Sequence, residues 1–166
     1  MSDSRSTFQH IAASWLSLKP WVKCWLFFLN AVFLAAFAFA ADPAARWILL
    51  AYAASGPLLA WLMVRQRGLT RLLGVAHLVP WAPLLVYIAL RLSSELVGPA
   101  VTLAVEPFLA GYLYILLACL TVCLALDAWD VVRYLRGERY VLGSPEAVRR
   151  GASRPGPTRL PCEGAH

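Results

Sequence analysis

The chain reads as an all-α integral membrane protein, a bundle of four transmembrane helices with both termini in the cytoplasm. Three observations carry that reading. The 166 residues are 60% hydrophobic and only 14% charged, where a soluble domain carries about 25% charged residues. The apolar residues gather into four runs, about 21–41, 46–64, 72–90 and 107–127, each long enough to cross hydrocarbon as a helix. If all four span, only Arg46 and Arg91 of the fifteen lysines and arginines fall on the far side, and basic residues mark the cytoplasmic face.

Residues 1–20 form a cytoplasmic or interfacial lead-in. Phe8, Ile11, Ala12 and Trp15 follow i, i+3, i+4, i+7 spacing, one apolar stripe of a short helix. Such a stripe suits the membrane interface; a frayed terminus is the alternative. Pro20 opens the next helix. In run one Lys23 snorkels to the headgroups, and Asn30 is the one strongly polar interior residue. Ala38-Phe39-Ala40 has the small-x-small look of a cleavage site, but the apolar core is too long and the site too late for a signal peptide.

A connection of about five residues leads to run two, which carries Ser55-Gly56-Pro57 at mid-membrane. Pro57 deletes a helix hydrogen bond and predicts a kink. The freed carbonyl near Ala53 then needs a donor in a place without water, and Asn30 and His77 are nearest by depth. Gly56 and Ala60 make a small-xxx-small pair, which predicts close approach of a neighbouring helix. A tight basic turn, 65–71, follows. Run three, LLGVAHLVPWAPLLVYIAL, holds His77, Pro80 and Pro83. A longer loop with Gly98-Pro99 precedes run four, whose apolar character is broken by Tyr112, Tyr114, Cys119, Thr121 and Cys123.

Residues 128–142 continue run four as a helical extension, with Trp129, Val132 and Leu135 on one face and Asp127, Asp130 and Arg133 on another. Gly137 is the expected stop. The tail, 143–166, is rich in Gly, Pro and Arg and is expected to be disordered, apart from a short helical turn at 145–150 capped by Ser144. Trp21, Trp25, Trp47, Trp61 and Trp129 sit near helix ends as interfacial anchors do; Trp81 sits near mid-membrane.

An ionisable residue inside a membrane helix is a functional-site candidate, and His77 is the one imidazole within an apolar run. It lies roughly 9 Å deep at the helical rise, and Thr121 and Cys119 lie at roughly 9 and 12 Å. With Asn30 and Ser55 slightly deeper, the polar side chains of all four runs form one candidate layer. Three readings compete for it: interhelical hydrogen bonding that fixes packing; a solute or proton path, since imidazole changes charge near neutral pH; and a metal or redox site from Cys119 and Cys123 at i, i+4 with His77. Cysteine is also an ordinary small core residue, and no metal or cofactor is assigned. Asp127 and Asp130 read as a solvated pair at the membrane surface, Asp130 with Arg133 at i+3.

The four cysteines lack framework or zinc-finger spacing, and all lie toward the cytoplasm, which keeps thiols reduced. Cys162 is followed by four residues and is no prenylation box. Neither nucleic-acid motifs nor a catalytic signature is present. The expected function is a non-enzymatic accessory or structural subunit of a bacterial inner membrane, packed against lipid and against itself or a larger complex. The alternative is a small-solute or proton-coupled transporter built around His77, its substrate unknown.

Overall fold

The computed structural model describes residues 9, 11–93 and 95–153. Among them the chain is all-helical. Four helical stretches are long and apolar enough to cross a membrane: Pro20–Phe39, Pro43–Arg65, Arg71–Ser93 and Pro107–Leu135. Phe8 of the expected N-terminal stripe and Cys162 lie outside the described residues.

Helix α1 spans Pro20–Leu34 and tightens into a 3₁₀ segment over Ala35–Phe39. Helix α2, Pro43–Arg65, starts with Pro43 in its first turn and Asp42 as cap, whose carboxylate accepts from the Ala44 N–H at 2.7 Å. This leaves one fewer orphan donor at the helix start. A 3₁₀ turn, Arg71–Gly74, leads into α3, Val75–Ser93. Helix α4 runs unbroken over Pro107–Leu135, and Gly137, with a φ of +104°, follows its end. Both α2 and α3 remain helical through Pro57, Pro80 and Pro83.

The core is a stripe on each helix. On α4 it is Leu109, Leu113, Leu116, Leu120 and Cys123, a period of three to four residues, as a helix with one inward face requires. Against it pack Phe33 and Ala36 from the first span, Ile48 from α2, and Trp81, Leu84 and Ile88 from α3. Large apolar residues on the other faces, such as Phe27, Trp47, Leu50, Trp61 and Phe108, stay exposed, the arrangement a lipid-facing surface needs. Helices α3 and α4 pack closely with one another and with the 3₁₀ turn, whereas α1 touches α2 and α4 only sparsely.

The expectation of disorder from Gly143 onward is corrected over residues 143–153. There Ser144 caps a short helix α5, Pro145–Arg149, accepting from the Ala147 N–H at 3.3 Å. The Ser153 hydroxyl accepts from the Gly143 N–H at 2.9 Å. Three segments interlock at this end of the bundle. The Leu142 N–H donates to the Leu69 carbonyl at 2.8 Å. Gly68 lies so close to Val141 that a Cβ would stand 2.5 Å from its side chain. Ser14, from the helical residues 11–16, and Ser17, in the turn that follows, are buried against the same region. The packed face of the N-terminal helix is therefore this serine side. Trp15, expected on its apolar stripe, lies off that packed face and stays exposed.

Candidate functional site

Sparse contact between α1 and α2 leaves a cavity of about 600 Å³ at the end where the basic residues gather. Its walls are Leu26 and Leu29 from α1, Leu59 and Met63 from α2, and Leu73 and Gly74 from the 3₁₀ turn. Trp15 and Leu18 stand at the N-terminal lead-in. An aromatic series backs it: Tyr52 stacks on Phe33 at 5.0 Å, Phe33 meets Trp81 at 4.7 Å, and Trp81 stacks on His77 at 4.2 Å between centroids. These rings link α2, α1 and α3 in a row, and all four line the cavity.

Polar groups enter from every helix. On α1, Asn30 donates to the Leu26 carbonyl at 2.7 Å and accepts a hydrogen bond from the Tyr52 hydroxyl. On α2, the Ser55 hydroxyl donates to the Tyr52 carbonyl at 2.7 Å. The expected donation to the Ala53 carbonyl is not made: Asn30 bonds Leu26 and Tyr52, and His77 Nδ1 lies against Asp127. His77 Nδ1 lies 3.1 Å from Asp127 Oδ2, and both side chains are mostly buried. Cys123 Sγ stands 3.6 Å from the same carboxylate oxygen. The carboxylate thus sits between an imidazole on α3 and a thiol one turn back on its own helix.

The reading of Asp127 as one of a wet surface pair is corrected here, whereas the Asp130 side chain is exposed at 42%. Helix α4 does not leave the bundle at residue 127. The 3₁₀ turn comes alongside it, and Gly74 permits the approach: a Cβ there would lie 2.9 Å from the Asp127 carbonyl oxygen. Asp130 pairs with Arg71 rather than with Arg133. The Arg71 guanidinium also donates to the Tyr140 hydroxyl at 3.0 Å and places Nε 3.1 Å from Glu138. Arg133 takes Glu138 instead, with Nη2 at 2.8 Å. Hydrogen bonding from Arg133 holds the Glu138 carboxyl below the usual range.

Of the five residues expected in one polar layer, the cavity collects His77, Asn30 and Ser55. Thr121 lies on an outward face and bonds its own Leu117 carbonyl at 2.8 Å; Cys119 is buried in the core away from the cavity. The polar partner that the depth argument missed is Asp127. A signal was present: the inward stripe of α4 at positions 113, 116, 120 and 123 reaches 127 at its next step. The expected close helix contact at Gly56 and Ala60 is also corrected. Both are exposed, and a Cβ on Gly56 would meet nothing within 4 Å. Gly56 lines the cavity because α1 diverges from α2 there.

Comparison with protein-family models, with curated proteins and with solved structures gives no match.

Proposed function

We propose that this protein is a non-enzymatic membrane subunit that binds a small amphipathic molecule in the cavity between α1 and α2. The reading rests on that cavity, apolar along its walls and polar around His77, Asp127, Asn30 and Arg71. Ligand pockets commonly pair apolar walls with a few placed polar groups. Trp81 adds support. It lines the cavity, is almost fully buried, and its Nε1–H has no acceptor among the described residues. A buried donor left unpaired is uncommon, and a ligand carrying an acceptor satisfies it.

Two arrangements favour binding over the other readings. The aromatic series ends the cavity against the buried core of Ile48, Ile88 and Leu113, which supports a one-ended site over an open solute or proton path. The connections between the four spans are short, which leaves little volume outside the membrane for a soluble active site and supports a non-enzymatic role. We further place both termini and the 65–71 turn on the cytoplasmic face of a bacterial inner membrane. The basic clusters support that orientation. The outward apolar faces support contact with lipid and with a copy of the chain or a larger complex.

The test uses the full chain in lipid nanodiscs and a dibrominated fatty acid, whose bromines quench tryptophan on contact. Trp81 is 3% exposed, so quencher in the surrounding lipid does not reach it. The expected result is a saturable component of quenching that disappears in Trp81→Phe and in Gly56→Phe, which fills the cavity. Identical quenching in all three proteins contradicts the proposal.

A further inference from the structure

We propose that His77 Nδ1, Cys123 Sγ and the Asp127 carboxylate form a binding site for a divalent transition-metal ion of the zinc class. The three ligand atoms all lie within 4.8 Å of one another. Nitrogen, sulfur and oxygen are the donors zinc takes, at about 2.0–2.1, 2.3 and 2.0–2.2 Å. Tetrahedral angles turn those lengths into edges of roughly 3.3 Å for N···O and roughly 3.6 Å for S···O. The observed separations are 3.1 Å for His77 Nδ1 to Asp127 Oδ2 and 3.6 Å for Cys123 Sγ to Asp127 Oδ2. Two edges of the coordination polyhedron are therefore already close to size.

Local structure fixes the three groups independently. Cys123 and Asp127 are i, i+4 on α4 and so project from one face. His77 comes from α3, its ring held flat against Trp81 at an interplanar angle of 13°. The glycine at position 74 brings the start of the third span against the Asp127 backbone.

Charge favours the same assignment. One thiolate and one carboxylate balance a divalent cation, so the loaded site is neutral, and a neutral group is the least costly to hold in apolar surroundings. Loading transfers the thiol proton to solvent as the sulfur–metal bond forms, with no change of oxidation state. Three protein ligands leave one tetrahedral position free, the pattern of sites that also hold water or a small ligand. His77 and Asp127 line the cavity, so that position lies beside it. Cys119, the cysteine paired with Cys123 by sequence spacing, has no part in the site.

The site goes beyond the cavity reading and does not depend on it. The test titrates the purified, chelator-stripped full chain with cobalt(II) alone, followed by zinc. One equivalent of cobalt is expected to raise a thiolate-to-cobalt charge-transfer band, which zinc then abolishes. Cys123→Ser removes the band, and His77→Ala and Asp127→Asn weaken binding by more than roughly tenfold, the low end for loss of an outer-shell partner. Cys119→Ser, a change of the same size on the same helix, leaves the band intact. Gly56→Phe keeps the cobalt band while blocking fatty-acid quenching, so each proposal fails or stands separately. Absence of the band in the wild type overturns the site, as does a band that survives Cys123→Ser or is lost equally in Cys119→Ser.

Discussion

At the end of the bundle formed by residues 39–43 and the loop before α4, Arg91 is 5% exposed and both terminal nitrogens of its guanidinium are paired. It donates to the Pro99 carbonyl and stands 3.2 Å from Asp42, the residue that also caps α2. The Val101 N–H returns to the Arg91 carbonyl at 2.9 Å. Around this clamp the helices meet through Ala36, Ala44 and Ala45, all without exposed surface. At the opposite end polar groups meet just as closely, Arg71 with Asp130 and His77 Nδ1 with Asp127. Yet there α1 stands off from α2, and a cavity remains. The difference does not lie in charge pairing. At the closed end alanines let backbones close, whereas the cavity at the other end is lined by large side chains such as Trp15, Met63 and Trp81.

The contrast is most sharply broken at the closed end. Removing one partner of a buried ion pair costs about 3–5 kcal/mol, because the other charge stays buried. Arg91→Ala is therefore expected to lower stability by that amount in a detergent unfolding titration. Asp42→Asn keeps the cap on Ala44 but leaves the Arg91 charge buried without its counter-charge, so it is expected to be destabilising as well. A loss at Arg91→Ala of under about 1 kcal/mol, the range of an exposed pair, contradicts the clamp.

Much of this architecture was legible from residue order. Four apolar runs, the cap before α5 and the stop at Gly137 all follow from local chemistry. His77 stood out because an imidazole in an apolar run is rare. Its partner does not stand out, because depth along a helix says nothing of which faces meet, and position 127 lies at the apparent membrane boundary. The glycines illustrate the same limit of spacing. Gly56 carries the small-xxx-small spacing but faces open space, while Gly74, outside any such motif, makes the close approach. Spacing reports what a face permits; only tertiary packing decides which face is used.

That distinction gives the second test, smaller in effect. At Gly74→Ala the new Cβ would press on the Asp127 backbone, and overpacking of this kind costs about 1–3 kcal/mol. Gly56→Ala is expected to leave stability unchanged or raise it by up to about 1 kcal/mol, from helix propensity alone. The reverse order in a melting experiment restores the Gly56–Ala60 face as the packed one.

The smallest effect concerns pH and the polar end alone. Arg133 lowers the Glu138 carboxyl from its ordinary value of 4.5. A folded-state value below the unfolded one stabilises above the ordinary carboxylate range and is lost as pH falls through and below it. The midpoint of thermal unfolding is thus expected to drop on acidification below about pH 5, with a shallower drop in Glu138→Gln. Parallel curves for the two proteins exclude this contribution.

The unequal ends are tested most directly by water access to engineered thiols. In a chain with its four native cysteines replaced, Gly56→Cys stands in the cavity and Ile48→Cys in the closed core. A charged thiol reagent reacts only where water reaches the sulfur. Added to sealed vesicles on the side bearing the basic clusters, it is expected to modify Gly56→Cys promptly and to leave Ile48→Cys protected until the protein is unfolded. Equal protection at both positions would mean that α1 closes on α2 along its length, and the cavity would not exist.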